Sequence, residues 1–156
     1  MLKSSGFDVI FTRTEDIMLY TENNKGSHKM QDLKKRVDIA NSNENALFIS
    51  IHMNKFSQEK YSGLQVFYST NDKTSETVAG LIQSHTKTLL QPENTRETKA
   101  AGSNIFLLDN IKIPAVLVEC GFLSNSAECE KLKDINYRKE LASVIYSSVI
   151  EFYDKM

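Results

Sequence analysis

The run Ala115-Val116-Leu117-Val118, opened by Pro114 and closed by Glu119, constrains the fold more than any other segment. Ala46-Leu47-Phe48-Ile49-Ser50-Ile51 is a second short apolar run, and it ends in His52. Runs of this kind are strands covered on both faces, because a strand with one wet face would alternate with polar residues. Two such strands need helices on both sides of their sheet. Before, between and after them the chain supplies helical patterns. Leu33, Val37 and Ala40 share a face over about Met30–Asn43. Val78, Leu81, Ile82, His85 and Leu89 do so over Ser75–Leu90, which Pro92 ends. Leu141, Val144, Ile145, Val149 and Phe152 do so over about Asn136–Tyr153. Further strands are predicted at Phe7–Thr12, Leu64–Tyr68 and Ile105–Leu108, and a short helix at Ser126–Leu132. The alternation predicts a three-layer α/β/α fold with a mixed, mostly parallel sheet.

A chain of 156 residues has room for one domain and one core. The 19 Lys and Arg nearly balance the 20 Asp and Glu, which excludes the basic footprint of a nucleic-acid binder. No apolar run approaches the ~20 residues of a membrane span. Two cysteines, Cys120 and Cys129, cannot build a disulfide framework. The opening Met1–Gly6 lacks the apolar centre of a signal peptide and reads as a last helical turn with Gly6 as its cap. A beginning at the end of a helix leads to the expectation that residues 1–156 are the C-terminal part of one larger, N-terminally truncated domain. The polar stretch Arg13–Lys29 is long for a patternless segment and is expected to be functional or mobile.

Chemistry is expected where ionisable residues close apolar strands. In open α/β sheets ligands gather at the carboxyl ends of the strands, so His52 and Glu119 are placed to share a cleft, with Asn54 beside them. An imidazole suits zinc or general-base work. A carboxylate there can take a proton from water. Each also has a structural reading: a hydrogen-bonded strand-end histidine, or a glutamate with a buried partner. Arg96 and Lys99, in the linker Glu93–Asn104, are candidates to bind a ligand carboxylate or are solvated loop residues. Cys120 follows Glu119, so it points to the opposite sheet face and reads as a buried thiol. His85 reads as a core histidine and His28 as a solvated loop residue. Tyr61 and Tyr68 can line a groove or pack in the core. From the residues alone, the reading stops at a hydrolase-like cleft.

The motifs carry a resemblance further. Ser50-Ile51-His52-Met53-Asn54 resembles the S-I-H-x-N motif of zinc-dependent N-acetylmuramoyl-L-alanine amidases of the amidase-3 type. Pro114–Asn125 resembles their P-A-x-L-x-E-x-G-F-x-S-N signature, and Thr12-Arg13, Arg36 with Ala40-Asn41, and Asn94–Lys99 also fit. The loop after Arg13 and the Thr95–Lys99 linker look most like the CwlD-type amidases of spore-forming bacteria. Those act on cortex peptidoglycan with a partner deacetylase. The resemblance implies hydrolysis of the bond between N-acetylmuramic acid and the L-alanine of the stem peptide. It implies Zn2+ as cofactor, His52 as a ligand, Glu119 as general base and then acid, and Asn54 as support for the ligand. Gly121 would allow a tight turn after the strand. The implied partners are peptidoglycan strands with their stem peptides and a protein in the spore, and the implied location is outside the cytoplasm. The family's D-P-G-H-G strand and a following glutamate, which supply two further zinc ligands, have no counterpart here, and neither His28 nor Glu15 stands at a matching position. This chain is therefore expected to hold little zinc and to be inactive alone. The alternative is a non-catalytic remnant that binds peptidoglycan or a protein.

Overall fold

A parallel pair at the centre of the sheet follows directly from the two apolar runs. In a computed structural model, which describes residues 1–20 and 27–155, β1 (Phe48–Asn54) pairs in parallel with β4 (Ala115–Phe122). β2 (Gln65–Tyr68) runs antiparallel to β4 and parallel to a two-residue β3 (Lys99–Ala100). The order is β1-β4-β2-β3, so β4 is flanked on both sides, and seven of its eight residues are buried. Glu119 is the exception.

Helices cover both faces, and the side-chain period of two divides β4 between them. Val116, Val118 and Cys120 join Leu64, Val66, Val78, Ile82 and Phe152 in a core under α2 (Thr74–Leu89) and α5 (Ile135–Asp154). Ala115 and Leu117 join Ala40, Leu107 and Ile111 on the other face, under α1 (His28–Asn41) and α3 (Phe106–Asn110). The expected three layers and mixed sheet are present. α4 (Ser126–Lys133) packs between β4 and α5.

Several expectations change. Phe7–Thr12 forms no strand: among the described residues it joins no ladder, and the Phe7 N–H donates to the Leu2 carbonyl in a local turn while its ring packs on Tyr153. Ile105–Leu108 is the start of α3 rather than a strand, because its apolar residues face one core at helical spacing. β1 lies at the edge of the described sheet, and its Ile51 is 55% exposed, so this strand is not covered on both faces. Leu89 is 63% exposed; the buried face of α2 runs through Ser75, Val78, Ala79, Ile82, Gln83 and Thr86. His28 is not in a loop. It opens α1 and stacks on Tyr20 at 4.1 Å. Gly6 does cap a short 3-10 turn, Leu2–Ser5, at φ 87°. Of the polar stretch 13–29, residues 21–26 lie outside the described residues.

Candidate active site

Register places the site. His52 on β1 stands directly opposite Glu119 on β4, and Gln65 on β2 stands directly opposite Glu119 from the other side. Residues paired across a ladder share a face, and adjacent strands lie about 4.8 Å apart, so the three side chains form one row on the α1/α3 side. The row sits where β4 ceases to be regular. Two steps of β1, His52 to Asn54, match three of β4, Glu119 to Phe122. This bulge re-aims the end of the strand. Gly121 lies in the bulge at φ 158°, within the strand rather than in a turn after it. A Cβ there would come 3.3 Å from Glu128 Oε2 and 3.4 Å from Leu132, so close approach is what favours glycine.

Glu128 holds this end together. Its carboxylate accepts from the Gly63 N–H at 2.7 Å and from the Phe122 N–H at 2.8 Å, tying the start of β2 to the end of β4. Asn125 caps α4 by accepting from the Glu128 N–H.

Among the described residues, Glu119 carries the one buried side-chain polar atom without a hydrogen-bond partner, its Oε2. Desolvation raises its pKa above the usual carboxylate value. His52 keeps access to solvent, yet partial desolvation lowers its pKa, and the positive Arg36 lowers it further. The imidazole is therefore held neutral, the form that donates a lone pair to a metal or accepts a proton. Arg36 itself is fixed. Its Nε and Nη2 donate to Asp32 at 2.8 and 3.1 Å, and its Nη1 donates to Thr12 Oγ1 at 3.2 Å. Asp32 also accepts from the Leu19 N–H. The pair straps the N-terminal segment to α1, and a cavity of about 580 Å³ runs from that segment along β1 to His52. In a proton NMR titration, the His52 ring is expected to titrate below 6.5. Arg36→Met should raise its midpoint without restoring the ordinary value, since desolvation is the larger cause. An unmoved midpoint would remove Arg36 from the site's electrostatics.

The other candidates fall where their contacts put them. Arg96 lies beside the row: its Nη1 donates to Gln65 Oε1 at 3.1 Å, and its Nε to the Ser62 carbonyl at 2.6 Å. Asn54 closes β1 opposite Phe122, and its carbonyl accepts from the Leu123 N–H. Lys99 is exposed on β3, at the opposite edge of the sheet from His52. Cys120 is in the core, its thiol pushed up to about 12 by burial and then by the charge of Glu119, which leaves no thiolate for nucleophilic work. Ser148, His85 and Glu151 stand at 3.0 and 2.8 Å, the spacing of a hydrolytic triad. Ser148 is wholly buried and donates to Val144 in its own helix, so these bonds join α2 to α5 rather than meet a substrate. Gln65 was missed in the sequence, and Arg36 was singled out there only as a residue of the resemblance, without a role in the site. A buried polar residue opening the strand Gln65–Tyr68 was the available signal for the first.

The donor set can be tested against zinc. A catalytic zinc needs three protein ligands and a water. His52 and the unsatisfied Glu119 oxygen are side by side, but no group of three His, Cys, Asp or Glu among the described residues can hold a metal. The described residues do not by themselves make a complete zinc site.

Fold and site together define a three-layer α/β domain with an imidazole–carboxylate pair at the carboxyl rim of its sheet. The family described as N-acetylmuramoyl-L-alanine amidase (Amidase_3) matches residues 1–151, and the chain belongs to it. The germination-specific N-acetylmuramoyl-L-alanine amidase of Bacillus subtilis (strain 168) is 37% identical over 154 residues, covering 97% of this chain and 64% of that protein. The chain thus spans slightly under two thirds of that relative's length. The CwlD amidase from Clostridioides difficile, solved in complex with the GerS lipoprotein, superposes with a TM-score of 0.91 at 39% identity, over 99% of this chain and 80% of that one. The catalytic domain of CwlV, an amidase from Bacillus (Paenibacillus) polymyxa, gives 0.77 at 26% identity, over 98% of this chain and 76% of that one. No helix among the described residues is long and apolar enough to cross a membrane.

Proposed function

We propose that this domain serves peptidoglycan amide hydrolysis, cutting between N-acetylmuramic acid and the L-alanine of the stem peptide in cell wall or spore cortex, outside the cytoplasm. The observation that carries the reading is the row His52–Glu119, with a buried carboxylate oxygen that nothing among the described residues satisfies. Glu119 takes a proton from the attacking water and returns it to the departing amine of alanine. Its raised pKa suits both tasks, because a base that must later act as an acid works best near the operating pH. His52 would offer one nitrogen to Zn2+, for which the described residues supply no complete set of donors. Asn54 supports the end of β1, and Arg96 is assigned to substrate, whereas Lys99 lies at the sheet's opposite edge. Residues 1–156 act as the C-terminal part of one catalytic domain. The likeness to CwlD in complex with GerS supports a protein partner as well as the glycan.

One observation favours a second reading. The absence of a three-donor cluster among the described residues fits a module that binds peptidoglycan without cutting it. A single experiment separates the two. The chain is mixed with a soluble muramoyl peptide and zinc. Binding is followed by NMR shifts at His52, and release of a peptide with a free alanine amine is followed by mass spectrometry. Release supports the amidase. Binding at His52 without release supports the binding module. Failure to bind overturns both.

A further inference from the structure

Arg96 is a cation without a counter-ion. Among the described residues it makes no ion pair, although its guanidinium is firmly placed. Two of its nitrogens donate to neutral acceptors, the Ser62 carbonyl and Gln65 Oε1. Its plane lies over the Phe122 ring at 4.5 Å and near Tyr61 at 5.9 Å. Tyr61 is itself held by Phe56 and Phe122. The carboxylates of neighbouring segments are engaged elsewhere. Glu97 pairs with Lys87 at 2.6 Å, and Glu128 spends both oxygens on backbone N–H groups. Glu119 lies one residue further along the row and is shifted by desolvation alone. A guanidinium locked by aromatic stacking and two hydrogen bonds, with donors to spare at Nη2, is preorganised to grip a planar anion. Little side-chain entropy remains to be lost when it does so.

Its place fixes which anion. Gln65 stands opposite Glu119, and Arg96 is hydrogen-bonded to the Gln65 side chain. The guanidinium is therefore roughly one to two residues of extended peptide, at about 3.5 Å each, from the carboxylate that would act on the scissile amide. Resting on the proposed muramoyl-peptide reading, we propose that Arg96, held by Gln65, binds the free carboxylate of the stem-peptide residue that follows L-alanine, and so makes the site prefer acidic over amidated stems.

The test compares two ligands on the whole chain by calorimetry or NMR. One is N-acetylmuramoyl-L-alanyl-D-glutamate, and the other is the same molecule with its glutamate carboxyls as amides. The unsubstituted protein is expected to bind the acid about tenfold more tightly, as a charge-assisted hydrogen bond requires. Arg96→Gln should bind the two alike, and Arg96→Lys should keep part of the preference, which checks that the fold survives. Equal binding of both ligands by the unsubstituted protein overturns this inference and leaves the muramoyl-peptide reading standing. An acid preference that persists in Arg96→Gln overturns it too. Binding of neither ligand overturns both.

Discussion

Glu119→Gln, in a form of this domain whose zinc site is complete, is expected to lower amide hydrolysis by about 10²–10⁴-fold, the usual worth of a positioned acid–base group. The same substitution is expected to make the fold more stable at neutral pH. Both effects have one origin. The carboxylate is carried charged into the sheet's rim, with an oxygen that no group among the described residues satisfies, and desolvating that uncompensated charge, which a neutral amide does not carry, costs on the order of 1 kcal/mol in a half-buried position. For a chain of this size that is a rise of about 3 °C in the unfolding midpoint. The pH dependence has a definite sign. Folding raises the Glu119 pKa above 4.5, so the unfolded chain gives up its proton first as pH rises. The folded protein loses stability from about pH 4.5 upward through the raised value. The advantage of the Gln variant is therefore full above that value and vanishes below about pH 4.5. A variant that loses turnover and stability together would make Glu119 a structural residue.

This coupling explains why Glu119 was readable in the sequence while its surroundings were not. A carboxylate closing four apolar residues breaks the local rule for a buried strand, and such breaks mark sites where folding stability is given up for function. That both apolar runs are strands was equally legible, but β1 is an edge strand of the described sheet, and His52 and Glu119 stand inside their strands, two and three residues before the ends. Their mutual register was not, since it depends on which strands pair, and nothing local in Phe48–Asn54 names Ala115–Phe122 as its neighbour. Gln65 entered the row through an antiparallel pairing that no short-range signal announces. Phe7–Thr12 and Ile105–Leu108 show the opposite failure. Both have the composition of a strand, but a strand exists only by bonding to another backbone. The first finds no strand partner among the described residues, and the second does better as a turn of helix over the Leu117 core. Gly121 was correctly singled out for the wrong reason: its neighbour Glu128 comes near only once α4 folds back onto the bulge.

Zinc is expected to remain on the dialysed chain at well under one equivalent, and His52→Ala should remove most of what stays. The argument is a count of donors. One neutral imidazole beside one carboxylate is short of the three protein ligands that a catalytic zinc keeps, and each missing ligand forfeits part of an affinity that reaches about 10–16 kcal/mol in a full structural site. The lowered pKa of His52 leaves its nitrogen free of protons at neutral pH, so protonation is not what limits binding. Metal analysis after dialysis against metal-free buffer makes the measurement, with Glu119→Gln beside it. If Glu119 acts on protons and not on the metal, that variant should retain whatever zinc the parent retains while its turnover falls. Zinc that disappears with Glu119→Gln would make the carboxylate a ligand. One full equivalent surviving dialysis would mean that residues beyond the described set complete the site within this same chain, and the two-donor account of the rim would be wrong.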